Sequence, residues 1–310
     1  MKKKRTVDVI IPAYKPEAEF EYLLEALSKQ NYPIGHILVM NTEEEYWNPE
    51  WEEQYDNLEV YHIKKSQFDH GATRDEAAQM SLADILVFMT QDAVPANARL
   101  IESLVEAFDE YGVKAAYARQ LPRDDCDPIE QYTRKFNYPP KNRLKDKRDL
   151  NVLGIKTFFC SNVCAAYDRT TYFQLGGFPR HAIFNEDMIF CGRLIQQGFA
   201  ISYVANAAVI HSHNYGCIEQ FHRNFDLAVS HADHPEIFKG VKTVGEGVKL
   251  VKNTAKYLCK HHKYIYLIPL FFRSGFKYLG YSLGKRYRTL PPWMVRACSM
   301  NRQYWNYKGE

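Results

Sequence analysis

This 310-residue chain predicts an α/β fold, a mainly parallel sheet flanked by helices, with a basic helical extension at its C-terminal end. Three observations lead there. Hydrophobic residues make up 46% of the chain, enough to bury a full core and far too many for a disordered or collagenous protein. Short runs rich in β-branched residues alternate with stretches whose apolar residues recur at helical spacing, the pattern of βαβ units. Polar residues stand directly at the exits of those runs, where open α/β sheets bind their ligands.

The elements follow in order. Val7–Ile11 reads as a first strand running out into Pro12-Ala13-Tyr14, and Phe20, Leu23, Leu24 and Leu27 mark the helix after it. His36–Met40 is a second strand with Asn41-Thr42 at its exit, Val60–Ile63 a third, and Thr73–Ser81 a helix. Ile85–Met89 is a buried strand that ends on Thr90-Gln91-Asp92. Leu100, Leu104, Val105 and Phe108 mark a helix, and Ala115–Ala118 a strand. Residues 119–157 are charged and contain Pro139-Pro140; a solvated loop and a substrate-facing flap both fit them. Strand character resumes over Phe158–Tyr167, and Asp168 is placed to cap a short helix that ends at Gly176-Gly177. A helix starts near Asn185-Glu186-Asp187 and stops at Gly198. Ala200–Val204 and Ala208–His211 read as two strands, and Ile218–Val229 as a helix. Residues 1–235 form the sheet domain and 236–310 the extension.

The formal net charge of +3 conceals a split. Residues 1–238 carry −10 and residues 239–310 carry +13. The seven cysteines are scattered, odd in number and without a C-x-x-C pair, as expected of buried thiols in a reducing cytosol. Met1-Lys2-Lys3-Lys4-Arg5 is basic, but the apolar run after it is too short for a signal peptide. The longest apolar stretch, Tyr264–Phe272, falls well below the ~20 residues of a spanning helix.

Four polar positions sit where the sheet would place a site: Asn41, Asp92, Glu186-Asp187 and His211-Ser212-His213. Each has a plain alternative. Asp92 could cap the following helix, and Glu186 and Asp187 could simply favour a helix N-terminus. His211 and His213 share a face of an extended segment, as either structural or metal-binding residues do.

Taken together, these residues resemble family-2 glycosyltransferases, inverting enzymes of the GT-A fold. Ile10-Ile11-Pro12-Ala13-Tyr14 looks like the family's opening strand and nucleotide-binding loop, and His70-Gly71-Ala72-Thr73-Arg74-Asp75 like the motif beneath the nucleotide. Thr90-Gln91-Asp92-Ala93 stands at the metal-binding D-x-D position, and Gly176-Gly177-Phe178 with Asn185-Glu186-Asp187 looks like the G-G-F…E-D pair. The forms around Phe68–Arg74 and Thr90–Ala93, with Lys277-Tyr278-Leu279-Gly280-Tyr281 and Arg286-Tyr287-Arg288, resemble the bacterial rhamnosyltransferase subgroup. The chain departs from the pattern at Asn41 and Thr90, where carboxylates are usual, and at Asp75, where Asn is usual.

The resemblance implies transfer of a sugar from a nucleotide-sugar donor, dTDP-β-L-rhamnose, to a glycan or lipid-linked glycan acceptor. It implies Asp187 as the base with Glu186 holding the acceptor, and Pro12, Ala13, Tyr14, Asn41, Arg74 and Gln91 at the nucleotide. Asp92 and His213 would bind Mg²⁺ or Mn²⁺, and Asn162 and Arg223 would meet the acceptor or the diphosphate. A divalent cation neutralises a departing diphosphate without proton transfer, and inversion needs a base on the opposite face of the sugar. A sugar-nucleotide pyrophosphorylase would need a glycine-rich loop where Pro12-Ala13-Tyr14-Lys15-Pro16 stands. A non-catalytic glycan-binding or assembly protein on the same fold is the remaining alternative.

Residues 239–310 hold 13 of the 44 aromatic residues, interleaved with Lys and Arg. That texture suits an anionic membrane surface, and the resemblance implies that this is the inner, cytoplasmic face of the plasma membrane. Packing on the body or in a homodimer is the competing account, and nucleic acid is not an expected partner.

Overall fold

The computed structural model describes residues 4–241 and 245–307. Lys2, Lys3, Lys242, Lys308 and Glu310, counted in the charge split above, lie outside the described residues, as does Met1. Nine strands form one sheet: β1 (Val7–Tyr14), β2 (Ile37–Thr42), β3 (Leu58–Ile63), β4 (Ile85–Met89), β5 (Val94–Pro95), β6 (Ala115–Leu121), β7 (Arg143–Lys145), β8 (Cys164–Asp168) and β9 (Ile201–Ile210). Their order is β3-β2-β1-β4-β8-β6-β9-β5, with β7 on β9. The helices that matter below are α1 (Ala18–Ser28), α2 (Ala72–Met80), α3 (Leu100–Tyr111), α4 (Pro128–Asn137), α5 (Glu186–Gln196), α6 (Cys217–Asp233), α7 (Glu246–Lys260) and α8 (Leu267–Gly284).

The strands β3-β2-β1-β4 are parallel throughout. Alternate residues of β1 divide between two cores, as the two-residue strand period requires. Val9 and Ile11 meet Phe20, Leu23 and Leu24 of α1 and Leu104 and Phe108 of α3. Ile10 faces the other way, toward Phe88, Ala77 of α2 and Ile189 and Phe190 of α5.

Beyond β4 the sheet is mixed. β8 is antiparallel to β4 and β6, while β6 and β9 are parallel to each other. The expected strand over Phe158–Tyr167 is therefore shorter, because residues 154–157 form a 3₁₀ turn and pairing starts only at Cys164. The two expected strands near 200–211 are one strand, its pairing with β6 shifting register after Ala118. Residues 119–157 are not a bare loop: they hold α4, β7 and short helical turns.

Direction decides what meets at the sheet edge. β4, β6 and β9 all run toward it, and antiparallel β8 starts from it. Asp92 after β4, Gln120 near the end of β6, Asn162 before β8 and His211 after β9 thus converge, although up to 119 residues separate them.

The extension is folded against this body. On α8, an added Cβ at Gly280 would lie 2.2 Å from the Phe221 carbonyl oxygen, and one at Gly284 would lie 2.3 Å from that of Phe225. Only glycine lets α8 lie this close to the α6 backbone. Leu258 of α7 and Leu270 of α8 close a small core with Ile129 of α4. Arg273 pairs with Asp127 at 2.5 Å, and Lys156 with Glu246 at 2.8 Å. Among the described residues, no helix is long and apolar enough to cross a membrane. All seven cysteines are free thiols, four of them buried.

Candidate active site

A cavity of about 630 Å³ opens at this sheet edge. Its walls come from the ends of β4, β6 and β9, the start of α2, the segment before β8 with the start of α5, helix α4, and the facing sides of α6 and α8.

One corner is an electron-rich triad. Asp92, His211 and His213 each aim a ligand atom so that all three lie within 4.8 Å of one another. The Asp92 carboxylate is 3.4 Å from Nε2 of each histidine. Gln120 sets the His211 tautomer. Its Oε1 accepts from Arg134, a donor-only group, and its Nε2 donates to Ser161 Oγ at 3.0 Å. The same Oε1 lies 3.2 Å from His211 Nδ1, so that nitrogen carries a hydrogen and Nε2 is the ring atom turned toward Asp92. Burial and the neighbouring His211 push His213 down to about 4, which keeps it neutral at pH 7. Burial opposes the charge on Asp92, but hydrogen bonds from His211 and Thr90 outweigh it and hold its carboxyl below the usual range. One carboxylate and two lone-pair nitrogens facing inward fit a divalent cation. Asp92 does not cap the following helix, whose N-cap is Arg99.

The opposite corner holds a carboxylate pair at the first turn of α5. Asn185, in the left-handed conformation at φ 65°, starts the helix and turns both acids inward. Asp187 accepts the Asn162 backbone N–H at 3.0 Å and that of Met188 at 2.6 Å. Glu186, 7% exposed, accepts the Asn162 side-chain amide at 3.1 Å and lies 3.4 Å from Arg74. Burial, then the adjacent Glu186 charge, raises the Asp187 carboxyl well above its ordinary range, against the opposing pull of its N–H donors and Arg74. A carboxyl so placed exchanges protons near neutrality, as a general base must.

Asp187, Glu186, Arg74, Asp92, His213, Asn162 and Arg223 all line this one cavity. Pro12, Ala13, Tyr14, Asn41 and Gln91 do not; they lie at the exits of β1, β2 and β4. There Gln91 is occupied with the backbone: it accepts the Tyr14 N–H at 2.7 Å and donates to the Tyr14 carbonyl at 3.0 Å. Asn41 is fully buried, its amide 3.0 Å from His62 Nδ1 and its Oδ1 unpartnered. Tyr14 is 37% exposed, with Lys65 5.0 Å from its ring centre.

Sequence reasoning left out several contributors. Gln120 lines the cavity and Tyr167 acts from behind the lining, and no local pattern marks them. Arg134 and Tyr138 come from a segment read as either loop or flap; they line the cavity, in keeping with the flap. Lys277 and Tyr281 reach in from the extension. Asp75 has a use of its own: it accepts from Tyr172 at 3.2 Å, and a Cβ at Gly177 (φ 65°) would lie 2.2 Å from it. That contact locks the Gly176-Gly177-Phe178 turn that leads into α5.

Comparison with known proteins agrees with this geometry. The sequence profile of glycosyl transferase family 2 matches residues 8–175. The O-antigen chain rhamnosyltransferase RfbN of Salmonella typhimurium is 37% identical over 303 residues, 97% of this chain and 96% of that protein. WbaN of Salmonella anatum, also an O-antigen chain rhamnosyltransferase, is 37% identical over 96% of this chain and 95% of its own. Among solved structures, a mannosyltransferase from Pyrobaculum calidifontis in complex with GDP-Man and Mn²⁺ superposes with a TM-score of 0.64 at 13% identity, covering 93% of this chain and 89% of its own. Staphylococcus aureus TarS in complex with UDP-GlcNAc gives 0.52 at 15% identity, covering 91% of each. The fold is thus of the GT-A glycosyltransferase type, and the chain belongs to glycosyl transferase family 2.

Proposed function

We propose that this glycosyltransferase moves L-rhamnose from dTDP-β-L-rhamnose onto a hydroxyl of a growing, lipid-linked cell-surface polysaccharide, with inversion to an α linkage. The observation that carries the reaction type is the pairing, across one cavity, of a proton-accepting Asp187 with a metal-ligating corner at Asp92, His211 and His213. Rhamnose as the sugar and a polysaccharide as the acceptor rest on the two Salmonella relatives, whose similarity extends along nearly the whole chain.

In this reading the acceptor hydroxyl oxygen attacks the anomeric carbon as the bond to the diphosphate oxygen breaks. Asp187 takes the hydroxyl proton, and Glu186, fixed by Asn162 and Arg74, holds the acceptor. A divalent cation held by Asp92 and His213, with His211, would neutralise the departing diphosphate. The nitrogen ligands favour Mn²⁺ over Mg²⁺, whose sites are built from oxygen. Pro12, Ala13, Tyr14, Asn41, Gln91 and Arg74 take the nucleotide. Incubation with a panel of nucleotide sugars and Mn²⁺ tests the donor: dTDP-rhamnose turns over fastest, and preference for GDP-mannose or UDP-GlcNAc would overturn it.

We also place the protein on the cytoplasmic face of an anionic membrane. Ile268, Phe271, Phe272 and Leu279 of α8 are 52–73% exposed at helical spacing, and Ile265, in the turn that leads into α8, is 76% exposed. Trp293 is also 68% exposed, and residues 239–310 carry +13. Flotation with anionic but not neutral vesicles supports this; no binding at low salt, with a stable homodimer in its place, refutes it.

A further inference from the structure

Helices α6 and α8 face each other across the rear of the cavity. On α6 the lining residues are Gln220, Arg223, Leu227 and His231, a single stripe at spacings of three and four. On α8 they are Lys277 and Tyr281, one turn apart, and Tyr281 lies 3.2 Å from His231 Nδ1. The backbone contacts at Gly280 and Gly284 bring Lys277 this far in.

The charges on that wall are unbalanced. Arg134 has Glu130 at 2.6 Å, and Arg273 has Asp127 at 2.5 Å. Lys277 and Arg223 have no carboxylate within 4.0 Å among the described residues. Arg223 instead lies flat against aromatic rings, 4.6 Å from the centre of Phe184 and 5.7 Å from that of Tyr215. Burial pushes the Lys277 ammonium below its ordinary value; Glu130 counteracts this, and the cations Arg273, Arg223 and Arg134 add to it. Neighbouring cations left unpaired in a shielded wall repel one another unless an anion joins them. That burden stands out beside residues 1–238, whose own charge is −10.

We propose that Lys277, supplied by the extension and acting with Arg223, forms a subsite for a diphosphate ester, which makes the extension part of the catalytic unit. Such a group has two sources here, the nucleotide of the donor and the lipid anchor of the acceptor. The inference rests on the glycosyl-transfer reading for the identity of those two molecules, but not for the subsite's chemistry.

The test uses the full chain and its Lys277→Met and Lys277→Arg variants, with matching thermal unfolding as the check on folding. Inorganic pyrophosphate comes first because it needs no donor or acceptor. By calorimetry with Mn²⁺ present, Lys277→Met weakens its binding about tenfold and Lys277→Arg restores it. Two further arms locate the source. A similar loss for dTDP puts the donor there. An unchanged dTDP affinity, with a higher KM for a diphosphate-linked acceptor but not for the same glycan on an uncharged anchor, puts the acceptor there. Equal pyrophosphate, dTDP and acceptor constants in wild type and Lys277→Met overturn the inference. A wild type that binds pyrophosphate through Lys277 yet transfers no sugar defeats the transferase reading and leaves the subsite standing.

Discussion

The Tyr167 hydroxyl donates to Asn162 Oδ1 at 2.9 Å, joining the innermost part of the sheet to the carboxylates of the cavity. Tyr167 is fully buried on β8, packed by Phe88, Phe178 and Phe190. Asn162 in turn donates its backbone N–H to Asp187 and its side-chain amide to Glu186. A rigid aromatic cluster thus orients both acids through one amide. Tyr167→Phe keeps the ring and removes the bond, so it acts as a change in positioning. kcat falls about 10–100-fold with KM nearly unchanged, and stability drops by about 1–2 kcal/mol because a buried oxygen loses its donor. Steady-state kinetics beside thermal unfolding check this; a loss of stability with normal kcat would leave Tyr167 only a core residue.

Asp187 works ionised, and its carboxyl sits above the ordinary range, so activity rises with pH through an acid limb near neutrality rather than near pH 4. Asp187→Asn lowers kcat by about 10²–10⁴-fold, while calorimetry finds donor affinity nearly intact. Arg74 opposes the rise in the Asp187 value, and its guanidinium lies 3.4 Å from Glu186. Arg74→Met therefore moves the acid limb of kcat to higher pH, and Arg74→Lys largely restores it. A pH profile unmoved by Arg74→Met would mean that another group sets the limb.

At the metal corner, Gln120 decides how His211 presents itself. Gln120→Leu leaves Asp92, His211 and His213 in the chain but frees the imidazole to rotate and to change tautomer. Mn²⁺ affinity falls about 10–100-fold in titration calorimetry, with less effect on unfolding than on binding. His211→Ala and His213→Ala weaken it further, and EDTA abolishes wild-type transfer. Full activity in EDTA would exclude a metal role for all three residues.

The divide between what could and could not be read from the sequence follows locality. Strand exits at Asp92 and His211 and the helix start at Glu186-Asp187 were legible, because each is a break between a buried run and a polar one. Helix α2 is one residue off at either end of the expected Thr73–Ser81. Gln120 and Lys277 were not legible, since each acts through a partner on another element, and Tyr167 was not because a buried strand tyrosine carries no local sign of the Asn162 five residues before it. The antiparallel insertion of β8 also escaped detection: its four apolar residues, Cys164–Tyr167, look alike in either direction. Charge arithmetic set the extension apart from the body, yet two glycines, Gly280 and Gly284, join them.

The body and extension are also joined by Asp226. From α6 its carboxylate accepts Ser299 Oγ at 2.7 Å and the backbone N–H groups of Met300 and Asn301, each at 2.9 Å. It is 3% exposed, and burial pushes it up to about 6 despite these donors. A folded-state value above the unfolded one means that the folded protein binds the proton more tightly. The stabilisation is present at and below about pH 4 and is lost as pH rises toward 6, by roughly 2–3 kcal/mol in all. Asp226→Asn flattens that part of the stability curve. Asp226→Ala, which strands three donors, lowers stability by about 2–4 kcal/mol at neutral pH and loosens residues 299–301 to hydrogen exchange. Denaturant unfolding of the three proteins at pH 4, 5 and 6 reads this directly. A wild type that gains stability between pH 4 and 6, relative to Asp226→Asn, would show that the donors outweigh burial and that the carboxylate is held charged.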